Sequence, residues 1–189
     1  MRTARTGIAI IVAAVPFVLL LPSAKATTYR NTDFGIEIRL PSGQPTCRGS
    51  PEFNHGIRIF LDPRDHQGCP GPERNRRSME IFAYYNAVDE TKYLADYLRW
   101  ECRVVFRGRC FPAPSGMRFG PYRSISGRVD HRDGWIDIVV VTQGPIRLPD
   151  DPTGVVNYGA FLETDRADFS QDLRSFRSFL RNIHLTGPE

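Results

Sequence analysis

The clearest pattern of apolar and polar positions in the chain is the run Gly134–Thr142, Gly-Trp-Ile-Asp-Ile-Val-Val-Val-Thr. Strand side chains alternate, so Ile136, Ile138 and Val140 share one face and Asp137, Val139 and Val141 the other. One face is wholly apolar and the other nearly so, which predicts a central strand covered on at least one side. Asp133-Gly134 just before it is a two-residue hairpin signal, because glycine tolerates positive φ. The strand is therefore expected to pair antiparallel with Tyr122–His131.

The same reading places the other elements. In Tyr29–Leu40, Phe34, Ile36, Ile38 and Leu40 alternate with Gly35, Glu37 and Arg39, predicting one half-buried strand. Ile57–Leu61 is a second strand, stopped by Asp62-Pro63, and Met79–Tyr85 a third, with Glu80, Phe82 and Tyr84 on its other face. Between them, Asp62–Arg77 is polar and rich in turn formers, and reads as an exposed loop. A helix follows an N-cap at Asp89. Its stripe is Tyr93, Leu94, Tyr97, Leu98 and Cys102, which leaves Asp96, Arg99 and Glu101 in solvent. After the hairpin, Val155–Glu163 is a further strand. The last helix begins near Asp165 and carries the stripe Phe169, Leu173, Phe176, Leu180 and Ile183, widened by Phe179. The order is β-β-β-α-β-β-β-α, an α+β chain, and the simplest arrangement is an antiparallel sheet with helices packed on one face.

Residues 1–26 stand outside this pattern. Arg2 and Arg5 precede an apolar run, Gly7–Leu21, and Ala24-Lys25-Ala26 has the small-x-small form of a signal-peptidase site. Residues 1–26 are thus expected to be a signal peptide, and 27–189 a single domain. An uncleaved anchor is the rival, but the run is short for a span and Pro22 follows it. Removing the leader takes Arg2, Arg5 and Lys25, so the formal charge falls from +4 to +1. The basic balance is largely a targeting effect and argues neither for nucleic acid nor for an anionic membrane. The expected product is periplasmic or secreted.

All four cysteines, Cys47, Cys69, Cys102 and Cys110, lie beyond the leader. An even count in an exported chain reads as disulfides. Of three connectivities the sequential one is favoured, Cys47–Cys69 across a Pro/Gly-rich loop and Cys102–Cys110 where a helix ends. A zinc site is the alternative, without the Cys-x-x-Cys or His-x3-His spacing that would support it. No metal or cofactor is expected.

The opening segment Tyr29–Pro41 and the closing helix Phe169–Ile183, with the order of elements between them, resemble the PsbP-like fold, the α/β/α sandwich of photosystem II extrinsic proteins and many exported bacterial domains. The resemblance implies an accessory or binding domain. It brings no catalytic motif, and the disulfide loops depart from its common pattern.

Chemistry-bearing residues are few. His66 lies near Asp62 and Asp65, so a carboxylate–imidazole pair is one reading and a solvated loop histidine the other. His131-Arg132-Asp133 spells a kinase triplet, but it falls at a hairpin with no glycine-rich loop before it. His184 follows the last helical turn and suits a dipole partner. Ser124-Ile125-Ser126-Gly127 lacks the first glycine of a nucleophile elbow. Arg74, Arg76 and Arg77 form a small basic cluster.

Two functions follow. The first is a non-enzymatic binding or accessory protein of the cell envelope, in one version an inhibitor or immunity protein for a secreted toxin or wall hydrolase. Its partner would be another envelope or secreted protein, met by Asp62, Arg64, Asp65, His66, Arg74, Arg76 and Arg77. The second is a hydrolase or small-ligand protein that uses His66 or His131 with nearby carboxylates.

Overall fold

A computed structural model of the chain describes residues 27–48, 55–64, 77–85, 93–148 and 151–186. The leader, the helix N-cap expected at Asp89, and Cys69 lie outside these residues.

The opening segment is two strands. β1 (Thr27–Asn31) and β2 (Ile36–Leu40) form an antiparallel hairpin in which Asn31 pairs with Ile36. The Phe34 N–H donates to Asn31 Oδ1 at 3.2 Å, and Gly35, at φ 58°, completes the turn. The continuous alternation hid this turn because Phe34, at its apex, is itself buried against the core. Four strands follow the chain order, β3 (Thr46–Cys47), β4 (Gly56–Phe60), β5 (Ser78–Tyr85) and, after helix α1 (Leu94–Trp100), β6 (Phe111–Pro112). Then come β7 (Ser124–Asp130), β8 (Trp135–Leu148), β9 (Asp151–Asp165), α2 (Phe169–Arg181) and β10 (Ile183–Leu185).

The strands make an antiparallel seven-stranded sheet, ordered β3-β4-β5-β9-β8-β7-β6, and a three-stranded sheet, β1-β2-β10. β8 lies between β7 and β9 and is covered on both faces. Ile136, Ile138 and Val140 enter one core cluster, Val139 and Val141 the other. The hairpin loop is one residue longer than expected. The His131 N–H donates to the Trp135 carbonyl, leaving Arg132, Asp133 and Gly134 in the loop, with Gly134 at φ 93°. That is the three-residue turn in which glycine takes the left-handed position.

The helices do not share a face, as the simplest packing supposed. The larger core lies between the seven-stranded sheet on one side and α2 with the small sheet on the other. The smaller core lies beneath α1 on the opposite face, and includes Phe60, Phe82, Tyr97, Cys102, Phe106, Val139 and Phe161. Both faces of the large sheet carry buried apolar residues, interrupted on the α1 side by Glu80 and Asp137, so each needs a cover.

Within α2, Leu173, Phe176, Phe179 and Leu180 are buried as the stripe predicted, but Ile183 is not helical. The helix ends at Asn182, and Ile183 pairs with Ile38 in β10. His184 is exposed beside Glu37 in that strand, rather than at a helix terminus. Two phenols tie the sheets together. The Tyr158 hydroxyl donates to the Phe34 carbonyl at 2.6 Å, and the Tyr29 hydroxyl to the Gly56 carbonyl at 2.9 Å.

Candidate functional site

The cover over the second face ends in an irregularity. α1 is held down by Tyr97, which is buried where Gly159 leaves room on β9; a Cβ there would meet the Tyr97 hydroxyl at 3.0 Å. At Glu101 the winding loosens into a π-helical turn, Glu101–Val105, closed by the Phe106 N–H donating to the Glu101 carbonyl. Glu101 comes four residues after buried Tyr97, with its own N–H still bonded to the Tyr97 carbonyl, so it shares that face and is fully buried, where its polarity predicted solvent.

Cys102 and Cys110 form the expected disulfide, with Cα atoms 5.5 Å apart. Cys47 is also disulfide-bonded. Inside the Cys102–Cys110 loop, Phe106 is buried on Phe161 as an anchor, while Arg103, Val104, Val105, Arg107 and Arg109 are exposed. Arg107 takes a left-handed conformation, φ 51°, and the Gly108 N–H returns to the Cys102 carbonyl at 2.8 Å. The loop is a small lobe pressed against β7: a Cβ on Gly108 would meet Val129 at 2.2 Å. A cleft opens beside it, lined by Asp96, Arg99, Trp100, Arg103, Arg109 and the disulfide. Arg99 is paired with Asp96 at 2.5 Å. Arg109 stands over the ring of Phe111, itself 41 % exposed, and neither Arg103 nor Arg107 has an ion pair among the described residues.

Under the lobe and helix lies a layer of buried acids and phenols. Burial pushes the Glu101 carboxyl up to about 8, against the lowering influence of the Tyr97 hydroxyl, and Glu80 raises it further. Neither Glu101 oxygen has a hydrogen-bond partner of good geometry. Burial likewise lifts Glu80 to about 7, although Arg58 is bonded to it; Glu163 adds to the rise. Tyr84 and Tyr97 are pushed up by burial first and by the neighbouring Glu101 second. Such a layer favours neutral acids, which also removes negative charge from beneath the exposed arginines.

Of the surface residues singled out in the sequence, the described ones, Asp62, Arg64 and Arg77, lie near one another. Asp62 accepts both the backbone N–H and the guanidinium of Arg64, a local turn on the surface that holds its carboxyl well below the usual range. Arg77 is half-buried. It is bonded to Asp168 and lies 3.0 Å from buried Asp172, fastening the start of α2 to β5, and its charge is engaged within the fold. Asp65, His66, Arg74 and Arg76 lie outside the described residues. His131 meets Asp137 at 2.5 Å, both largely buried, across the β7–β8 hairpin. His55 packs on the ring of Phe34 at 4.7 Å between centroids. The lobe itself was visible in the sequence as Arg-Val-Val-Phe-Arg-Gly-Arg between two cysteines, a spacing that predicts a stapled turn but not which side chains stay outside.

No family model matches this chain, and no curated protein matches it. Among solved structures it is similar to LpqN of Mycobacterium tuberculosis, a protein involved in cell envelope biogenesis, with 12 % identity over 86 % of this chain and 91 % of that one and a TM-score of 0.53. It also matches the PsbP protein CyanoP of Synechocystis sp. PCC 6803, with 11 % identity over 92 % of this chain and 98 % of that one and a TM-score of 0.49. The α+β fold is thus shared with LpqN. At these identities the likeness is one of fold.

Proposed function

We propose that this is an exported binding or accessory protein of the cell envelope, working by surface capture through the lobe closed by Cys102–Cys110. The observation that carries the reading is that lobe: Arg103, Val104, Val105, Arg107 and Arg109 are held outward by a disulfide and one buried anchor. A surface fixed before it meets its partner loses little further entropy on binding, and exposed aliphatic side chains among arginines are suited to contact. The disulfide supports an oxidising compartment, in keeping with the leader pattern and with an envelope protein of the same fold.

The inhibitor version assigns the inserting surface instead to the loop carrying Asp62, Arg64, Asp65, His66, Arg74 and Arg76. A photo-crosslinking side chain placed at Val104 or at Arg64 in living cells separates the two. Adducts at Val104 support the lobe; adducts confined to Arg64 replace it with the inhibitor loop. Fractionation and the N-terminal residue of the recovered protein test export, which cytoplasmic retention with an intact leader would refute.

The alternative, a hydrolase or small-ligand protein, is favoured by one observation, the His131–Asp137 pair, because a carboxylate on one ring nitrogen orients the other. It expects His131→Ala to abolish turnover or ligand binding without loss of fold.

A further inference from the structure

We propose that the Cys102–Cys110 lobe and its cleft dock on an anionic phospholipid surface, the arginines holding headgroup phosphates while Val104, Val105 and Phe111 enter the interface. The inference rests on the export reading above and names the partner of that same lobe.

Charge complementarity is the first ground. From Arg99 to Phe111 the exposed ionised groups are Arg99, Arg103, Arg107 and Arg109. The acids around them are Asp96, bonded to Arg99, exposed Asp130 on the neighbouring β7, bonded to Arg128, and Glu101, which is buried beneath the lobe with its carboxyl raised by burial. The cations are all arginines, whose planar fork matches phosphate oxygens in pairs. The cleft places Arg99, Arg103 and Arg109 around one concavity with Trp100 in its wall. An indole there suits the headgroup layer, where one end of a ring is wet and the other apolar.

The second ground is the interleaving. Val104 is 46 % exposed, Val105 37 % and Phe111 41 %; Val104 follows Arg103, Val105 precedes Arg107 by two residues, and Arg109 stands over Phe111. An acidic protein partner would meet arginines at its rim and apolar groups at its centre. Here the two kinds alternate within one short stapled turn. The boundary of a bilayer offers phosphate and hydrocarbon within a few ångströms of each other, and amphipathic surface segments exploit it. The lobe is one turn deep, so the contact is peripheral and reversible, without an anchor.

The test uses the processed protein recovered after expression with its own leader, its N-terminus verified by mass spectrometry, in co-sedimentation with vesicles of phosphatidylcholine alone or mixed with phosphatidylglycerol. Binding is expected only to the anionic vesicles, to weaken with salt, and to survive excess inorganic phosphate. Each basic residue near an anionic surface is worth about fivefold, so replacing Arg103, Arg107 and Arg109 together by alanine should reduce binding about a hundredfold. Replacement of the three by lysine keeps the charge and should cost only a few-fold. Val104→Ser with Val105→Ser should weaken binding at constant charge. An unchanged melting temperature and an intact disulfide show that each variant is folded. Equal binding to neutral vesicles, indifference to the triple alanine variant, or full competition by inorganic phosphate would overturn the proposal. So would vesicles left unbound while the lobe crosslinks to an acidic envelope protein, an outcome that leaves the export and capture reading standing.

Discussion

Gly127 lies directly against Cys110: a Cβ on the glycine would stand 2.5 Å from the cysteine sulfur and 3.5 Å from that of Cys102. The disulfide therefore rests on β7 at a position with no room for a side chain. Gly127→Ala forces either the strand or the lobe to move. Overpacking of this kind costs about 1–3 kcal/mol, seen as a lower midpoint in urea, and the displacement should appear as faster amide exchange from Arg103 to Gly108. An alanine variant with an unchanged midpoint would show that the lobe does not press on the sheet.

Cutting the staple is a separate test. A disulfide joining residues this close in sequence contributes about 2–3 kcal/mol by restricting the unfolded chain. Cys102→Ser with Cys110→Ser should lower the midpoint by that order. The protection of Ile138 and Val140, deep in the sheet's other face, should persist in proportion to the remaining stability, while the lobe amides lose theirs first.

Glu101 and Glu80 make stability depend on pH in an uncommon direction. Both carboxyls are raised in the folded state, to about 8 and about 7, from an ordinary value near 4.5. The folded protein thus holds protons that the unfolded chain releases. Their contribution is fully present below about pH 4.5 and is lost as pH rises, by about 7 for Glu80 and about 8 for Glu101. At about 1.4 kcal/mol per pH unit for each group while it titrates, the loss amounts to a few kcal/mol. Thermal melts between pH 5 and 8 should fall with pH in the parent, and Glu101→Gln should flatten the curve, since the amide stays neutral throughout. Parallel curves would show that Glu101 is ionised in the folded protein.

Arg77 is expected to act on stability from inside the fold. Its guanidinium faces Asp168 and the buried Asp172, which also accepts the Thr164 hydroxyl at 2.6 Å. Arg77→Ala leaves Asp172 without its cation and should cost about 3 kcal/mol in a denaturant titration. Adding Asp172→Asn removes the stranded charge and should recover part of that loss. Equal stability of parent and Arg77→Ala would place the arginine back among the surface groups.

The sheet was legible in the sequence wherever period-two alternation coincided with burial. β8 showed both of its faces, and α2 showed its stripe through Leu180. Two of the misreadings share a cause: local pattern continues through places where the chain changes course. Phe34 is apolar and in phase with Ile36 although it sits in a turn. Ile183 continues the helical stripe although it belongs to β10, because helix and strand deliver it to the same core. The charge of Glu101 predicts a wet position, although the residue stands four after Tyr97 on the same buried face of the helix. The candidate site was half legible. Two cysteines around an arginine-rich segment marked a stapled turn, but the outward valines and the cleft beside α1 depend on which side chain, Phe106, is chosen as the anchor. That choice is made by Phe161, far away in sequence.

The seven-stranded sheet stops on both flanks in strands two residues long, β3 and β6. Strands this short offer a neighbouring molecule few backbone groups of their own to template another strand. Among the described strands, the longer edge left for pairing with another copy is that of β1 in the small sheet.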